Sequence, residues 1–429
     1  MLITERRYAL GEKTPSGGAV RPQSPEVVAL TLREADEAGR AVVPWGAGTK
    51  QGFGNTPRAY DVALDLTGLS EILEYEPADL VVTAQAGTPL ATLQRRLGEA
   101  GQFLALDPPY ADQATLGGTL ATNASGPSRL LYGTARDLVL GMKVATPGGD
   151  LVKSGGKVVK NVVGYDLNKM HIGGLGTLGI MVEVTFKVHP LPRAEATLAA
   201  TFDGLGAAHA TAGRIYRSVL YPRAVELVRA AGRWGGEGRD AAPGAWQVLV
   251  WASGSPATVE RQVRDATAWC QEAGAVRTIR LDGADHDHAW HDVREFGRAL
   301  PADAALIKLT ALPTQVAAVI RALDQSAEQA IEQTGGQGAA GGPPELIVHA
   351  GTGVIYVTIR GASAPGVQKL MRLAIEQGGG AVIEAAPAEV KAEVDVWGPT
   401  RDDFPLMQAL KAQFDPHGAL NPGRFVGRI

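Results

Sequence analysis

From Val182 to His189 apolar and polar residues alternate: Val182, Val184, Phe186 and Val188 against Glu183, Thr185, Lys187 and His189, with Pro190 closing the run. A period of two, rich in β-branched residues, predicts a strand. Helical spacing governs 25–38, where Ser24 is placed to cap and Pro25 to take the first helical position. Short apolar runs at 41–44, 61–66, 71–75 and 80–85 predict strands, and Thr88 is placed to cap a helix over about 89–100. Further strands are expected around 137–145 and 150–153. The Gly/Ala/Ser-rich stretch 107–126 reads as loop, and KNVVGYDLNKMHI (160–172) reads as polar and irregular, with a short helix.

The texture changes near residue 196. TLAATF, WQVLVWA, ALIKLTA, LIVHAG and VIYVTIR read as strands, separated by helices at 256–272 (capped by Ser255), 313–333 and 365–377. That alternation predicts an α+β domain on one mostly antiparallel sheet. Residues 335–344 (GGQGAAGGPP) read as a flexible surface loop. The tail FPLMQALKAQFDPHGALNPGRF reads as a short helix and a turn-rich end.

With 429 residues, two or three domains are expected. At 45% hydrophobic and 20% charged the chain can bury a core, and a net charge of −4 gives no electrostatic case for nucleic acid or an anionic membrane. The single cysteine, Cys270, excludes intrachain disulfides and a Cys-ligated iron–sulfur cluster and is expected to pack in a helix. The N-terminus lacks an apolar core for a signal peptide and no apolar run is long enough to span a bilayer, so a cytoplasmic protein is expected, held at the inner membrane, if at all, by partners.

Residues 174–179 spell GLGTLG, but a dinucleotide-binding G-x-G-x-x-G turn must lie between a strand and a helix. Here a strand follows, so that reading fails. Two more glycine-rich loops, PWGAGTK (44–50) and ATLGGTLATNASG (114–126), occur in the same region. Each glycine cluster alone permits a tight turn. Three together suit a large diphosphate ligand held mainly by backbone N–H groups. DHDHAWHD (285–292) packs His286, His288 and His291 among aspartates, and reads as a solvated cap and first turn of a helix in preference to a metal site. His171 and His189 are expected to be structural.

The run from Val43 to Pro190 resembles the PCMH-type FAD-binding domain of the vanillyl-alcohol oxidase and p-cresol methylhydroxylase family. PWGAGTK resembles its pyrophosphate loop, TLGGTLATNASG its second loop and YGTARDLVLGMKVATPGGDLV a later segment. GTLGI resembles the loop along the flavin, and FDPHGALNPGR the closing segment. The resemblance implies an α+β flavoprotein with a two-subdomain FAD-binding domain over 1–190. A cap domain on a mostly antiparallel sheet over 191–400 and a carboxyl-terminal segment (401–429) returning to the first domain complete it. It implies FAD contacts at Trp45, Gly46, Ala47, Gly48, Thr49 and Lys50. It adds Thr115, Gly117, Gly118, Ala121, Ser125 and Gly126, then Gly176, Thr177, Leu178, Gly179 and Ile180, and lastly Asn421. Covalent members carry His where this chain has Thr49, which implies non-covalent FAD.

NASGPSRLLYGTARDLVLG and KVVKNVVGYDLNKM are similar to the FAD-binding subunits of bacterial glycolate oxidases. That implies electron transfer from a glycolate- or D-lactate-type substrate, with a catalytic flavoprotein subunit and an iron–sulfur subunit as partners. A self-sufficient FAD-dependent D-2-hydroxy-acid dehydrogenase and a non-catalytic assembly subunit are the alternatives. Catalytic relatives carry G-H-x-G-D-G-N-x-H with two metal-binding His. VHAGTGVIY (348–356) keeps the first as His349, with Thr352, Val354 and Tyr356 at the other key positions. Their G-E-H-G motif is replaced by EAAPAEVKAEVDVWG (384–398). No metal is therefore expected, and His349 is the weak candidate for a catalytic group.

Overall fold

A computed structural model describes residues 5–157, 165–230, 244–333 and 343–429. They divide into two compact units, one comprising Met1–Ser125, Gly133–Leu191 and Asp395–Ile429, the other Gly126–Tyr132 and Pro192–Val394. The expected loop at 335–344 lies almost wholly outside the described residues, as does much of 160–172, in which the described helix spans Asn168–His171.

In the first unit, five antiparallel strands run in the order Ile72–Glu76, Val81–Gln85, Ile180–Lys187, Val139–Ala145 and Leu151–Gly155. The strand with the alternating pattern, Ile180–Lys187, has neighbours on both sides and is buried on both faces. Its polar positions are satisfied sideways: Lys143 Nζ reaches Glu183 Oε1 at 2.5 Å and the Thr83 and Thr185 hydroxyls meet at 2.9 Å. A three-stranded parallel sheet orders Ala19–Val20, Val62–Asp65 and Val42–Trp45. The helix Pro25–Glu37 begins on Ser24, whose Oγ accepts from the Val27 N–H, as its sequence predicts. It buries Val28 and Leu32 against Leu64, Ile180, Val182 and Leu420, so one core joins both sheets and the tail.

Two local expectations change. The helix Leu90–Gly98 has Pro89 at its cap position, because the Thr88 hydroxyl donates to the Glu71 carbonyl instead. Residues 107–126 contain a helix, Leu116–Ala121, capped by Thr115, whose Oγ1 accepts from the Gly118 N–H at 3.2 Å. Two glycines within the helix hid its period in the sequence.

The second unit is built on eight antiparallel strands. Their order is Arg277–Leu281, Ala194–Phe202, Trp246–Gly254, Ala224–Arg229, Leu346–His349, Val354–Ile359, Ala305–Thr310 and Gly380–Ala385. The first, fourth and last were not anticipated, nor was the helix Leu205–Tyr216. The helix Pro256–Glu272 sits at its expected bounds on a Ser255 cap, and Cys270 is fully buried in it, where desolvation pushes its thiol up to about 12. Helix Gly283–Arg294 covers the sheet face that presents Trp251, with Trp290 stacked on that ring at 4.6 Å. Among the described residues no helix is long and apolar enough to cross a membrane.

Candidate functional site

The first unit contains an open cleft in which glycine, alanine and proline make up nearly half of the lining. Strand Val42–Trp45 leads into it and stops at Gly46. The buried Trp45 ring is anchored from below: its Nε1 donates to the Tyr60 hydroxyl at 2.8 Å, and Tyr8 packs edge-on at 5.2 Å. Gly48 turns over this ring at φ +82°, where a Cβ would come within 3.2 Å of it. Among the described residues the N–H groups of Ala47, Gly48 and Thr49 have no hydrogen-bond partner. Successive free N–H groups around a left-handed glycine form an anion-binding nest.

The other walls close against this loop through small residues. A Cβ on Gly46 would lie 2.3 Å from Thr115 Oγ1, one on Gly117 would lie 2.9 Å from the Ala86 methyl, and one on Gly176 would lie 3.1 Å from Pro44. These glycines are required by protein packing, and that packing draws the three loops to one cleft. Gly118 is exposed. Packing therefore accounts for Gly46, Gly117 and Gly176, while the left-handed Gly48 sits among the free N–H groups of the first loop.

Lining the cleft are Trp45, Gly46, Ala47, Gly48, Thr49, Lys50, Thr115, Gly117, Gly118, Ala121, Gly176, Ile180 and Asn421 of the residues singled out in the sequence. Thr177, Leu178, Gly179 and Ser125 lie outside the lining, and Gly126 belongs to the second unit. Gly179 packs instead on the neighbouring strand, since its Cβ would meet Val144 at 2.6 Å. Gln51, Leu175, Met181 and Arg424 also line the cleft and were not singled out. Arg424 ends the quoted FDPHGALNPGR, so the signal for it was present.

The tail is held by a buried ion pair. Lys411 Nζ donates to Asp415 Oδ2, to the Thr177 carbonyl at 2.9 Å and to the Leu420 carbonyl at 2.9 Å. Asp415 in turn accepts from the Ala419 and Leu420 N–H groups. Desolvation lowers the Lys411 ammonium from its usual range, partly offset by Asp415. Leu420 pairs beside Val42, and Asn421, in a left-handed conformation at φ +49°, donates its Nδ2 to the Leu175 carbonyl at 2.6 Å. Asn421 Oδ1 is buried with no partner. His171, behind the GLGTLG turn, is buried with Nδ1 unpartnered, and desolvation lowers it to about 4.

The second unit carries a different polar cluster. Strand register places Glu226, His349, Tyr356 and Lys308 on neighbouring strands of one sheet face. His349 Nδ1 lies 2.8 Å from Glu226 Oε2, both buried, and Tyr356 stands edge-on to the imidazole at 5.6 Å. Burial foremost, with Glu384 next, raises the Tyr356 phenol, and Arg129 opposes them. The His286 segment departs from a solvated cap. His288 and His291 are exposed, but His286 is buried on the face shared with Ala289, Trp290 and Val293. Trp290 Nε1 donates to Thr197 Oγ1 at 2.7 Å, and the same hydroxyl meets Nδ1 of the buried His286 imidazole at 2.7 Å. Desolvation lowers it. Among the described residues no group of three His, Cys, Asp or Glu is arranged to hold a metal.

Comparison with known sequences matches residues 17–155 to the FAD binding domain and residues 397–425 to the C-terminal domain of FAD linked oxidases. The chain is similar to glycolate oxidase subunit GlcD of Bacillus subtilis (strain 168), 28% identical over 430 residues, covering 95% of this chain and 88% of the relative. It is 44% identical to glycolate oxidase subunit GlcE of Escherichia coli (strain K12) over 136 residues, 32% of this chain and 39% of that protein. Among solved structures, an alkyldihydroxyacetonephosphate synthase superposes with a TM-score of 0.72 at 16% identity, covering 96% of this chain and 76% of the other, which speaks to the fold alone.

Proposed function

Since the chain is a flavoprotein of the PCMH-type FAD-linked oxidase family, we propose that it is the FAD-binding subunit of a glycolate oxidase-type complex. In this role it passes electrons from a small 2-hydroxy acid toward an iron–sulfur partner. The observation that carries the reading is the nest at Ala47–Thr49 in a cleft walled by glycines. Such a nest holds a diphosphate by backbone donors that need no reorganisation when the ligand arrives. The 44% identity over 136 residues to a glycolate oxidase subunit supports the complex. When bound, FAD supplies the two-electron chemistry. Thr49 offers no imidazole for a covalent tether, so the cofactor is held non-covalently. The orphaned Asn421 Oδ1 is placed to accept from a ligand N–H or O–H.

The chain's own share of substrate chemistry rests on the second unit. Glu226 orients His349 there, and Tyr356 takes the position of the second metal-binding His of the catalytic motif. A lone imidazole does not make a metal site. The isolated chain is therefore expected to oxidise glycolate or D-lactate poorly, with oxidation completed in the complex.

The protein purified from its native cells should be yellow, release intact FAD on acid precipitation and bring a second flavoprotein and an iron–sulfur chain with it. Gly48→Val, forcing a β-branched side chain into a left-handed turn against Trp45, should reduce flavin content below a tenth of wild type. Flavin retained by the precipitate, full flavin content in the variant, or robust glycolate turnover by the partner-free chain would each overturn the corresponding part.

A further inference from the structure

Arg424 is a cation in the cleft wall with no counter-ion among the described residues. The residue is 4% exposed. Its Nη1 donates to Gln51 Oε1 at 2.8 Å, and its Nη2 donates to the Gln51 carbonyl at 2.7 Å and to the Phe53 carbonyl. All three acceptors are neutral. Among the described residues Arg424 makes no ion pair, and its buried Nε has no hydrogen-bond partner. Desolvation lowers the guanidinium to about 10, opposed by the Tyr60 phenol. Burying a charge without a counter-ion is costly, and a guanidinium in such a place is normally matched to an anion.

We propose that Arg424 is the counter-cation for the anionic cofactor of this cleft, the ligand supplying the negative charge that the fold leaves out. The assignment rests on the flavoprotein reading above. It explains why the fold fixes the fork on the Gln51 and Phe53 carbonyls, just beyond the Ala47–Thr49 nest. The neutral anchors hold the guanidinium in place while leaving its charge for the ligand. FAD offers that charge from two sources, the diphosphate and the negative charge its ring system takes up on reduction. A charged partner of either kind is worth roughly tenfold or more in affinity or equilibrium.

The test compares wild type, Arg424→Lys, Arg424→Met and Trp397→Phe. The last removes the indole donor to the Arg424 carbonyl at 3.0 Å but keeps the guanidinium. On flavin-free protein, ADP and adenosine binding are measured by calorimetry. On flavin-loaded protein, the midpoint potential and the FAD dissociation constant are measured. If the diphosphate is the partner, Arg424→Met weakens ADP at least about tenfold and leaves adenosine unchanged, with Arg424→Lys in between. If the reduced ring is the partner, ADP binding holds and the potential of Arg424→Met falls. An unchanged ADP-to-adenosine ratio together with an unchanged potential overturns the assignment. So does a Trp397→Phe variant that reproduces the Arg424→Met losses, since the role would then be scaffolding. Wild type that takes up no FAD would defeat the flavoprotein reading, whereas normal uptake with an insensitive Arg424→Met defeats only this inference.

Discussion

The two units solve the problem of presenting polar groups in opposite ways. In the first, the nest of the cleft is made of backbone N–H groups backed by the Arg424 guanidinium, and the residues that shape it are glycines pressed against Thr115, Ala86 and Pro44. In the second, side chains supply the chemistry: Glu226, His349 and Tyr356 come from three strands and meet through sheet register. A backbone nest tolerates little change in backbone path but asks nothing of the ionisation of a carboxyl or imidazole. A side-chain site has the reverse sensitivities. Variants in the first unit should therefore move flavin retention, and variants in the second should leave it alone.

The hardest break in this comparison is expected at the tail. Lys411→Met leaves Asp415 buried, with its two backbone donors but without its cation. Stranding one member of a buried pair costs about 3–5 kcal/mol. The same change frees the Thr177 and Leu420 carbonyls, so the segment carrying Asn421 and Arg424 loses its anchor. Thermal release of flavin should occur well below that of wild type, while the second unit's tryptophan-rich core, monitored by near-ultraviolet circular dichroism, melts where it did. Parallel loss of both signals would show that the units do not respond separately.

A pH test comes next. His171 is neutral and buried, lowered to about 4 from an ordinary 6.5. Because the unfolded chain takes up the proton first, the stability His171 contributes is complete above about 6.5 and is lost as pH falls toward 4. The shift corresponds to about 3 kcal/mol over that window. His171→Phe removes both the titration and the orphaned Nδ1, so its stability should fall less than that of wild type between pH 6.5 and 4. Equal slopes in urea titrations of the two proteins would place the acid sensitivity elsewhere.

A smaller effect is expected from Glu226→Ala, which strips the acceptor from His349 Nδ1 inside the sheet. An unsatisfied buried donor costs about 1–3 kcal/mol. Flavin content should be unchanged. If glycolate turnover by the partner-free chain proves substantial and both Glu226→Ala and His349→Ala abolish it, the second unit carries the oxidation and the contrast drawn above weakens.

The sequence made the two units unequally legible for the same reason. A turn that needs small residues spells itself locally, so PWGAGTK, TLGGTLATNASG and FDPHGALNPGR could be read as short words. The helices with Ser caps and Pro starts, 25–37 and 256–272, were legible on the same basis. What local pattern could not carry was pairing across the sheet. Glu226 sits on a strand absent from the reading, and nothing near residue 226 announces that residue 349 lies opposite. His286 misled because its neighbours are charged, although the 286, 289, 290, 293 spacing already described a buried helical face. Arg424 was passed over because an arginine in a terminal turn is ordinarily solvated, and only the structure shows that this one is buried on neutral acceptors.

The smallest expected effect separates the cap from the packing at the centre of the cleft. Thr115 does two things there. Its Oγ1 accepts from the Gly118 N–H at 3.2 Å, and the same atom fills the space in which any Gly46 side chain would sit. Thr115→Val keeps the shape and removes the acceptor, which should cost about 1 kcal/mol, as loss of an N-cap does. Thr115→Ser keeps the acceptor and removes a methyl. If the cap matters more, Ser stays near wild type and Val weakens FAD retention by less than tenfold, as titration of flavin-free protein would show. If Val matches wild type and Ser does not, the methyl packing fixes the loops, and the wall of the cleft is held by shape alone.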